Sequence, residues 1–429
     1  VTAIDYNPFN YEVQHNPYPT YRRLRDEAPV WFSEEYQFYA ISRYADVLAA
    51  HLDPLTYLSS HGVTLEGGEA GGPFLIMKDP PEHEWHRRMV SRVFTPRRIA
   101  GLEDYVRVAA SELLDPHLGG SGFDVVEDFS IQLPLRVISE LLGIPAEHRQ
   151  EVHHLADKLV ARDENGKVSP ESQHAGAELA ILLASVVIER RKNPGDDVIS
   201  LMLGADITDD EGNTRRMGDE ELSYRVLELA FAGHETVARL IANGVVALAW
   251  YPDQRDALAN DFSLMPNAVE EMLRWDPPSH YQGRWTSREV QLHDTVIPAD
   301  RRVILVTGAA THDDRQYDDA ELFDIGRRID RPVTFGFGVH LCLGAALARV
   351  ETTVAFEELL RRFPHYALAD TGIVRMRSGN VRGLCTYRSS CEVTASRAHG
   401  QDACLNRDDA SRSTTVPPTD AGRREDARC

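Results

Sequence analysis

Helical periodicity dominates the spacing of apolar residues along this chain. The longest periodic run, Asp219–Trp250, predicts one helix with little interruption, long enough at ~1.5 Å per residue to cross a whole domain. Shorter helices are predicted over Pro134–Leu142, stopped by Gly143 and Pro145, and over Pro266–Trp275 and Ala345–Arg362. Ala175–Arg191 has strong amphipathic character and follows a polar loop, Arg162–Glu171. Strand patterns are few. Val30–Phe32 and Phe38–Ile41 read as a hairpin around Ser33–Gln37, and Val290–Leu292 and Arg302–Val306 as short strands. Ser60–Gly72 is glycine-rich and reads as a long loop, a feature that in compact proteins is usually functional or mobile. Beyond Ser396 the apolar period stops and an Arg/Asp/Ser/Thr-rich tail is expected to be disordered. No internal repeat interrupts this pattern, and the expected fold class is mainly α with small β elements.

Composition narrows the picture. With 429 residues, 42% of them hydrophobic, the chain can bury a large core in two ordinary domains or in a single large one. The longest apolar candidates, Ala180–Ile188 and Val245–Trp250, fall short of the ~20 residues of a membrane span. The first residues carry neither a basic nor an apolar leader region, so no signal peptide, no membrane and a cytoplasmic location are expected. A formal charge of −21 argues against nucleic-acid binding, which requires a basic field. The acidity is uneven, because His83–Arg98 reads HEWHRRMVSRVFTPRR. Cys385, Cys391, Cys404 and Cys429 crowd the last 45 residues at spacings that fit no zinc template, and are taken as incidental.

Cys342 is the only cysteine among the first 384 residues and lies within FGFGVHLCLGAALAR, Phe335–Arg349. A cysteine in a glycine-rich turn that opens into a helix is suited to be a metal thiolate, since helix N-terminal amides stabilise the anion. The alternative is a buried structural thiol. Glu271 and Arg274, three apart, share a helix face; alone, such a pair is no more than a surface ion pair. Ala232-Gly233-His234-Glu235-Thr236 falls in the middle of the long helix. A glycine there costs ~1 kcal/mol relative to alanine, and Thr236 can bond the Ala232 carbonyl, open the ladder and leave a bulge. Glu235 and Thr236 form an acid–alcohol pair able to relay protons, or the segment is a kink needed only for packing.

The Phe335–Arg349 run resembles the haem-ligand loop of the cytochrome P450 monooxygenases, and the resemblance extends from about Asn7 to about Val393. It implies a cytochrome P450 fold over 1–395, a large helical domain with small β-sheets and a long helix across the haem, with 396–429 as a separate tail. It also implies haem b (iron protoporphyrin IX), with Cys342 as axial iron ligand, Phe335 covering the sulfur side, and Gly336 and Gly344 allowing close approach. By motif position His83, Arg87, Arg284 and His340 would meet the propionates, while Glu271, Arg274 and Arg327 would form a buried network. Departures from the family pattern are Pro332, Thr311-His312-Asp313-Asp314 and Val237.

The oxygen-activation motif corresponds to Ala232, Gly233, Glu235 and Thr236. Glu228, Phe231, Ala232, Ser279 and His280 are expected toward the substrate, although Glu228 has the alternative of turning to solvent or an arginine. Arg87, Arg88, Arg92, Arg97 and Arg98 would steer an acidic ferredoxin, itself served by a ferredoxin reductase, because the chain contains no flavin or iron–sulfur segment. The function implied is a soluble bacterial monooxygenase of secondary metabolism that acts as a monomer on a small organic molecule by hydroxylation or epoxidation. Alternatives are a peroxide-dependent or atypical oxidation by the same haem, and a non-catalytic haem sensor or carrier.

Overall fold

The computed structural model describes residues 4–65, 72–92, 94–160, 168–369, 373–384 and 394–395. The expected tail 396–429 and the four late cysteines lie outside the described residues, as do parts of the Ser60–Gly72 and Arg162–Glu171 loops.

The long helix runs Asp219–Trp250 without interruption. Asp219, Glu220 and Glu221 occupy its first turn, where carboxylates meet the positive end of the helix dipole. From Val237 to Leu248 it is buried on every side, as befits a central helix with no solvent face. Gln132–Leu142, Pro170–Lys192 and Ala345–Arg362 pack around it and share one large hydrophobic core. Pro170–Lys192 begins earlier than its apolar pattern indicates, because the Ser169 hydroxyl caps it by accepting the Ser172 amide at 3.0 Å. The stretch 169–171, expected as loop, therefore belongs to the cap and first turn. Helices at Tyr18–Glu27, Tyr44–Leu52, Glu82–Ser91, Glu103–Leu114 and Arg149–Val160 complete the main helical set.

The expected hairpin forms with Val30 opposite Ile41 and Ser33 opposite Phe38. Phe38–Ile41 then lies parallel to Arg302–Leu305, which pairs with Gln282–Thr286, and Tyr57–Leu58 closes the five-stranded sheet. Gln282–Thr286 carries no strand pattern clear enough to read from the sequence, yet it delivers Arg284 to the site below. Val290–Leu292 pairs with Thr295–Ile297 in a separate ribbon. Smaller cores underlie the sheet.

Glu271 and Arg274 are both fully buried, and the guanidinium meets both carboxylate oxygens at 2.7 Å. The same guanidinium donates to the carbonyls of Thr311, Ala320 and Leu322 at 2.7–2.9 Å. Arg327 approaches Glu271 at 3.4 Å and binds the carbonyls of Asp319 and Leu322. This network ties the irregular stretch before the cysteine loop to the helix Met265–Trp275. Where the chain departs from the family pattern, Asp313 supplies its own bonds by accepting the Tyr44 amide at 2.9 Å and Arg315 at 3.1 Å. Among the described residues, no helix is long and apolar enough to cross a membrane.

Candidate functional site

The cysteine loop turns on Gly336 and Gly338, whose φ values of +68° and +67° are left-handed and favour glycine. The Cys342 amide donates to the Phe335 carbonyl at 2.9 Å and closes the loop. The helix Ala345–Arg362 then starts, and the amides of Gly344 and Ala345 point at the sulfur. Cys342 is exposed at its surface, yet the protein around it withholds bulk water. That desolvation raises the thiol pKa, against the two amides and the cations Arg87 and Arg349. A metal ion at the sulfur would remove the proton outright. Phe335 lies beneath the Arg349 guanidinium at 4.6 Å, and Arg349 is paired with Glu270.

Beside the loop, basic groups gather from four elements. The rings of His83 and His340 are 4.1 Å apart, and His340 Nε2 lies 3.2 Å from the Ser59 hydroxyl. Arg87 donates to the Leu341 carbonyl at 2.6 Å, and Arg284 is buried with one nitrogen on the Gly283 carbonyl. His51, from the helix Tyr44–Leu52, joins them; its ring lies 3.6 Å from the point where a β-carbon on Gly336 would sit. Burial, then Arg87, lowers His83 to about 4, and burial, then Arg284, lowers His51 to about 3. Burial lowers Arg284 to about 10, with Asp79 opposing; burial, Arg284 and His83 push His340 far down.

His51 Nε2 and His83 Nδ1 are buried and make no hydrogen bond to protein. A cluster of depressed bases with unused nitrogens fits a ligand that brings carboxylates, such as the two propionates of a haem. His83, Arg87, Arg284 and His340 are thus brought together as their motif positions imply. His51 was missed, since no motif marks the helix that carries it.

On the long helix the Thr236 hydroxyl donates to the Ala232 carbonyl at 2.9 Å. Ala232 is exposed, and Phe231 and Thr236 are half-buried, so this face of the helix is accessible and not packed into the core. The expected bulge is absent: the helix stays α-helical through Gly233–Thr236. Gly233 owes its place to packing, because a β-carbon there would sit 2.7 Å from Ile138 Cδ1 on the neighbouring helix. Glu235 is buried, with Oε2 accepting from Arg239 at 2.7 Å. Burial alone would raise its pKa, but Arg239, His234 and His153 hold it below the ordinary carboxylate value.

Two substrate-side expectations are corrected. Glu228 lies one turn before Ala232 on the same side of the helix, but its carboxylate is not free: it pairs with Arg225 and accepts the amides of Leu75 and Ile76, each at 2.8 Å. A carboxylate at 15% exposure takes a cation and two donors in preference to apolar surroundings. His280 belongs to the core, with Nδ1 bonded to the Tyr21 hydroxyl at 2.9 Å and Nε2 lying 3.8 Å from the Asp276 carboxylate. Ser279 is half-buried and accepts from Gln282 at 3.0 Å. In the basic cluster, Arg88 is occupied by Asp210 and Arg98 by the Asp196 carbonyl. Arg92 and Arg97 are exposed, with no ion pair among the described residues.

Such a site defines a protein built to seat a flat, acidic cofactor against a cysteine sulfur. The comparisons agree. The family model Cytochrome P450 matches residues 147–386. Putative cytochrome P450 123 of Mycobacterium tuberculosis is 38% identical over 385 residues, 88% of this chain and 94% of that protein. The structure of CYP109Q5 from Chondromyces apiculatus superposes with a TM-score of 0.81 at 30% identity, covering 92% of this chain and 99% of the other. A mutant of P450 EryK in complex with erythromycin B gives 0.80 at 31% identity, covering 91% and 98%. The chain belongs to the cytochrome P450 family. It is a haem-dependent P450 monooxygenase of the bacterial type.

Proposed function

We propose that the chain holds haem b through the Cys342 thiolate and inserts one oxygen atom of dioxygen into a small organic substrate. Two electrons come from a separate ferredoxin, recharged by a ferredoxin reductase, and two protons complete the balance: substrate, O2, two electrons and two protons give oxygenated product and water. The single observation that carries this reading is the Cys342 sulfur facing the Gly344 and Ala345 amides beside the cluster of His51, His83, Arg87, Arg284 and His340.

His83, Arg87, Arg284 and His340, with His51, would hold the propionates. Phe335, Gly336 and Gly344 would lie beside the sulfur, and Ala232 would leave room for the group. When bound, the haem supplies the binding and activation of dioxygen. Thr236 holds a proton at Oγ1 and retains lone pairs to accept another hydrogen bond, while Glu235 feeds protons toward it. Arg239 keeps Glu235 ionised and ready to accept.

With Glu228 and His280 engaged elsewhere, Phe231 and Ala232 leave an apolar face, which suits a bulky, largely apolar molecule of secondary metabolism. Arg92 and Arg97 form the free part of a ferredoxin-docking patch beside Arg87. The haem domain spans 1–395, with 396–429 appended, and works as a cytoplasmic monomer.

The test is Cys342→His. The parent, reduced under carbon monoxide, gives the long-wavelength band of a thiolate ligand, and the variant loses it. A variant that keeps the band places the iron on another residue and ends the proposal.

A further inference from the structure

The helix Arg149–Val160 lays His153 and Asp157, one turn apart, against His234, Glu235 and Arg239 of the long helix. His234 is wholly buried, and neither of its ring nitrogens bonds to protein. Glu235 Oε1 and His153 Nδ1 are likewise without a partner. An imidazole always presents at least one N–H, and leaving a buried polar atom unmet costs ~1–3 kcal/mol. Four such atoms in one place call for a hydrogen-bonding guest.

The geometry says which guest. Glu235 Oε1 lies 3.5 Å from His234 Nδ1, and the rings of His153 and His234 meet edge-on at 5.0 Å. One nitrogen or oxygen from each of the three residues lies within 4.8 Å of the others. Some point is therefore no more than about 2.8 Å from all three, within hydrogen-bond reach of each. A water with three polar partners suits that point. A divalent cation would share its carboxylate with the Arg239 guanidinium, which sits 2.7 Å from Glu235 Oε2.

We propose that His153 and His234 are positioning residues that carry protons from solvent, through one bound water, to Oε1 of Glu235. His153 is half-buried and forms the outer end, whereas His234 is the inner one. A proton taken up at one nitrogen of His153 leaves from the other to the water, and the water passes one to His234. His234 releases the proton on Nδ1 to Glu235 Oε1, and each ring resets as the next proton enters; no electrons move. The relay rests on the reading that Glu235 and Thr236 supply protons to oxygen chemistry.

The proton affinities support it. Burial lowers His234 to about 4, with Glu235 opposing, and Glu235 itself is held below its ordinary value. The other charged groups that act on this cluster are Asp157, Arg239 and His154, with Glu127, raised to about 7 by burial and Asp124, next to Asp157.

The experiment compares His153→Ala, His153→Glu and Thr236→Ala in the holoenzyme. His153→Ala should lower coupled product formation about ten-fold or more, raise the solvent deuterium isotope effect, and recover as pH falls from 8 to 6. Substrate spectral affinity and the carbon-monoxide band should stay as in the parent. His153→Glu, which still carries a proton, should restore most of the rate. Independently of turnover, 15N-histidine NMR of the diamagnetic reduced carbon-monoxide form should show the His153 and His234 resonances shifting in Glu235→Gln.

An isotope effect and pH profile unchanged in His153→Ala overturn the relay. So does one equivalent of zinc that survives dialysis and is lost in His153→Ala, because a metal would occupy the lone pairs. Full coupling in Thr236→Ala would instead overturn the underlying reading, which keeps the two failures apart.

Discussion

Glu228 is the residue whose removal has the most sharply drawn consequence. Its carboxylate accepts two successive amides, Leu75 and Ile76, at 2.8 Å, and pairs with Arg225, which is fully buried and also reaches the Pro73 carbonyl at 3.4 Å. The short 3-10 turn Leu75–Met77 is thereby latched to the long helix three residues before Phe231. Hydrogen bonds to a charged group contribute about 1.5–3 kcal/mol each. In Glu228→Gln the amide oxygen replaces only one of the two acceptors and the charge is lost, so the hold on the turn should weaken by about 2 kcal/mol. That is roughly a thirty-fold rise in local opening.

The assay is hydrogen–deuterium exchange under conditions where the rate follows the opening equilibrium. Peptides containing Leu75 and Ile76 should lose about thirty-fold in protection, while those from Val237–Leu248 stay unchanged. Glu228→Ala should do more, since it strands a buried Arg225 at a cost of about 3–5 kcal/mol. The double variant Arg225→Met/Glu228→Leu should recover overall stability, because an apolar pair can replace a buried ion pair, but should leave the turn loose. Unchanged exchange at 75 and 76 in Glu228→Gln would refute the latch.

Further outcomes follow from other parts of the structure. Thr236→Ala should bind substrate and consume reductant but divert most electrons to hydrogen peroxide, measured as product formed per NAD(P)H; Glu235→Asn should slow the whole cycle by ~10²–10⁴. Glu271→Gln leaves Arg274 buried with half its partner, so about 3–5 kcal/mol and much of the haem occupancy should be lost, read from Tm and the ratio of haem to protein absorbance. His280 is lowered to about 4 by burial, with Asp276 opposing, from its ordinary value of 6.5. The unfolded chain therefore binds the proton first as pH falls, and stability drains between pH 6.5 and 4, by up to about 3 kcal/mol. His280→Gln should flatten the fall of Tm across that window. Charge reversal at Arg92 or Arg97 should raise the KM for an acidic ferredoxin and flatten its salt dependence, with substrate affinity unchanged.

What the sequence determined by itself is local. Asp219–Trp250 and Ala345–Arg362 were readable to the residue because the apolar period of a helix is set by residues within a few positions of one another. The left-handed glycines around Cys342 and the three-residue spacing of Glu271 and Arg274 are of the same kind. Tertiary structure decided the rest. Whether Glu228 faced a ligand or a latch depended on amides some 150 positions away, and only packing brings them within 2.8 Å. Gly233, expected to bend its helix, is instead small because Ile138 needs the space. His51 enters the basic cradle, and His153 meets His234, across helices whose pairing leaves no trace in spacing. A buried polar side chain goes wherever it finds a partner, and in this chain those partners are set by the fold.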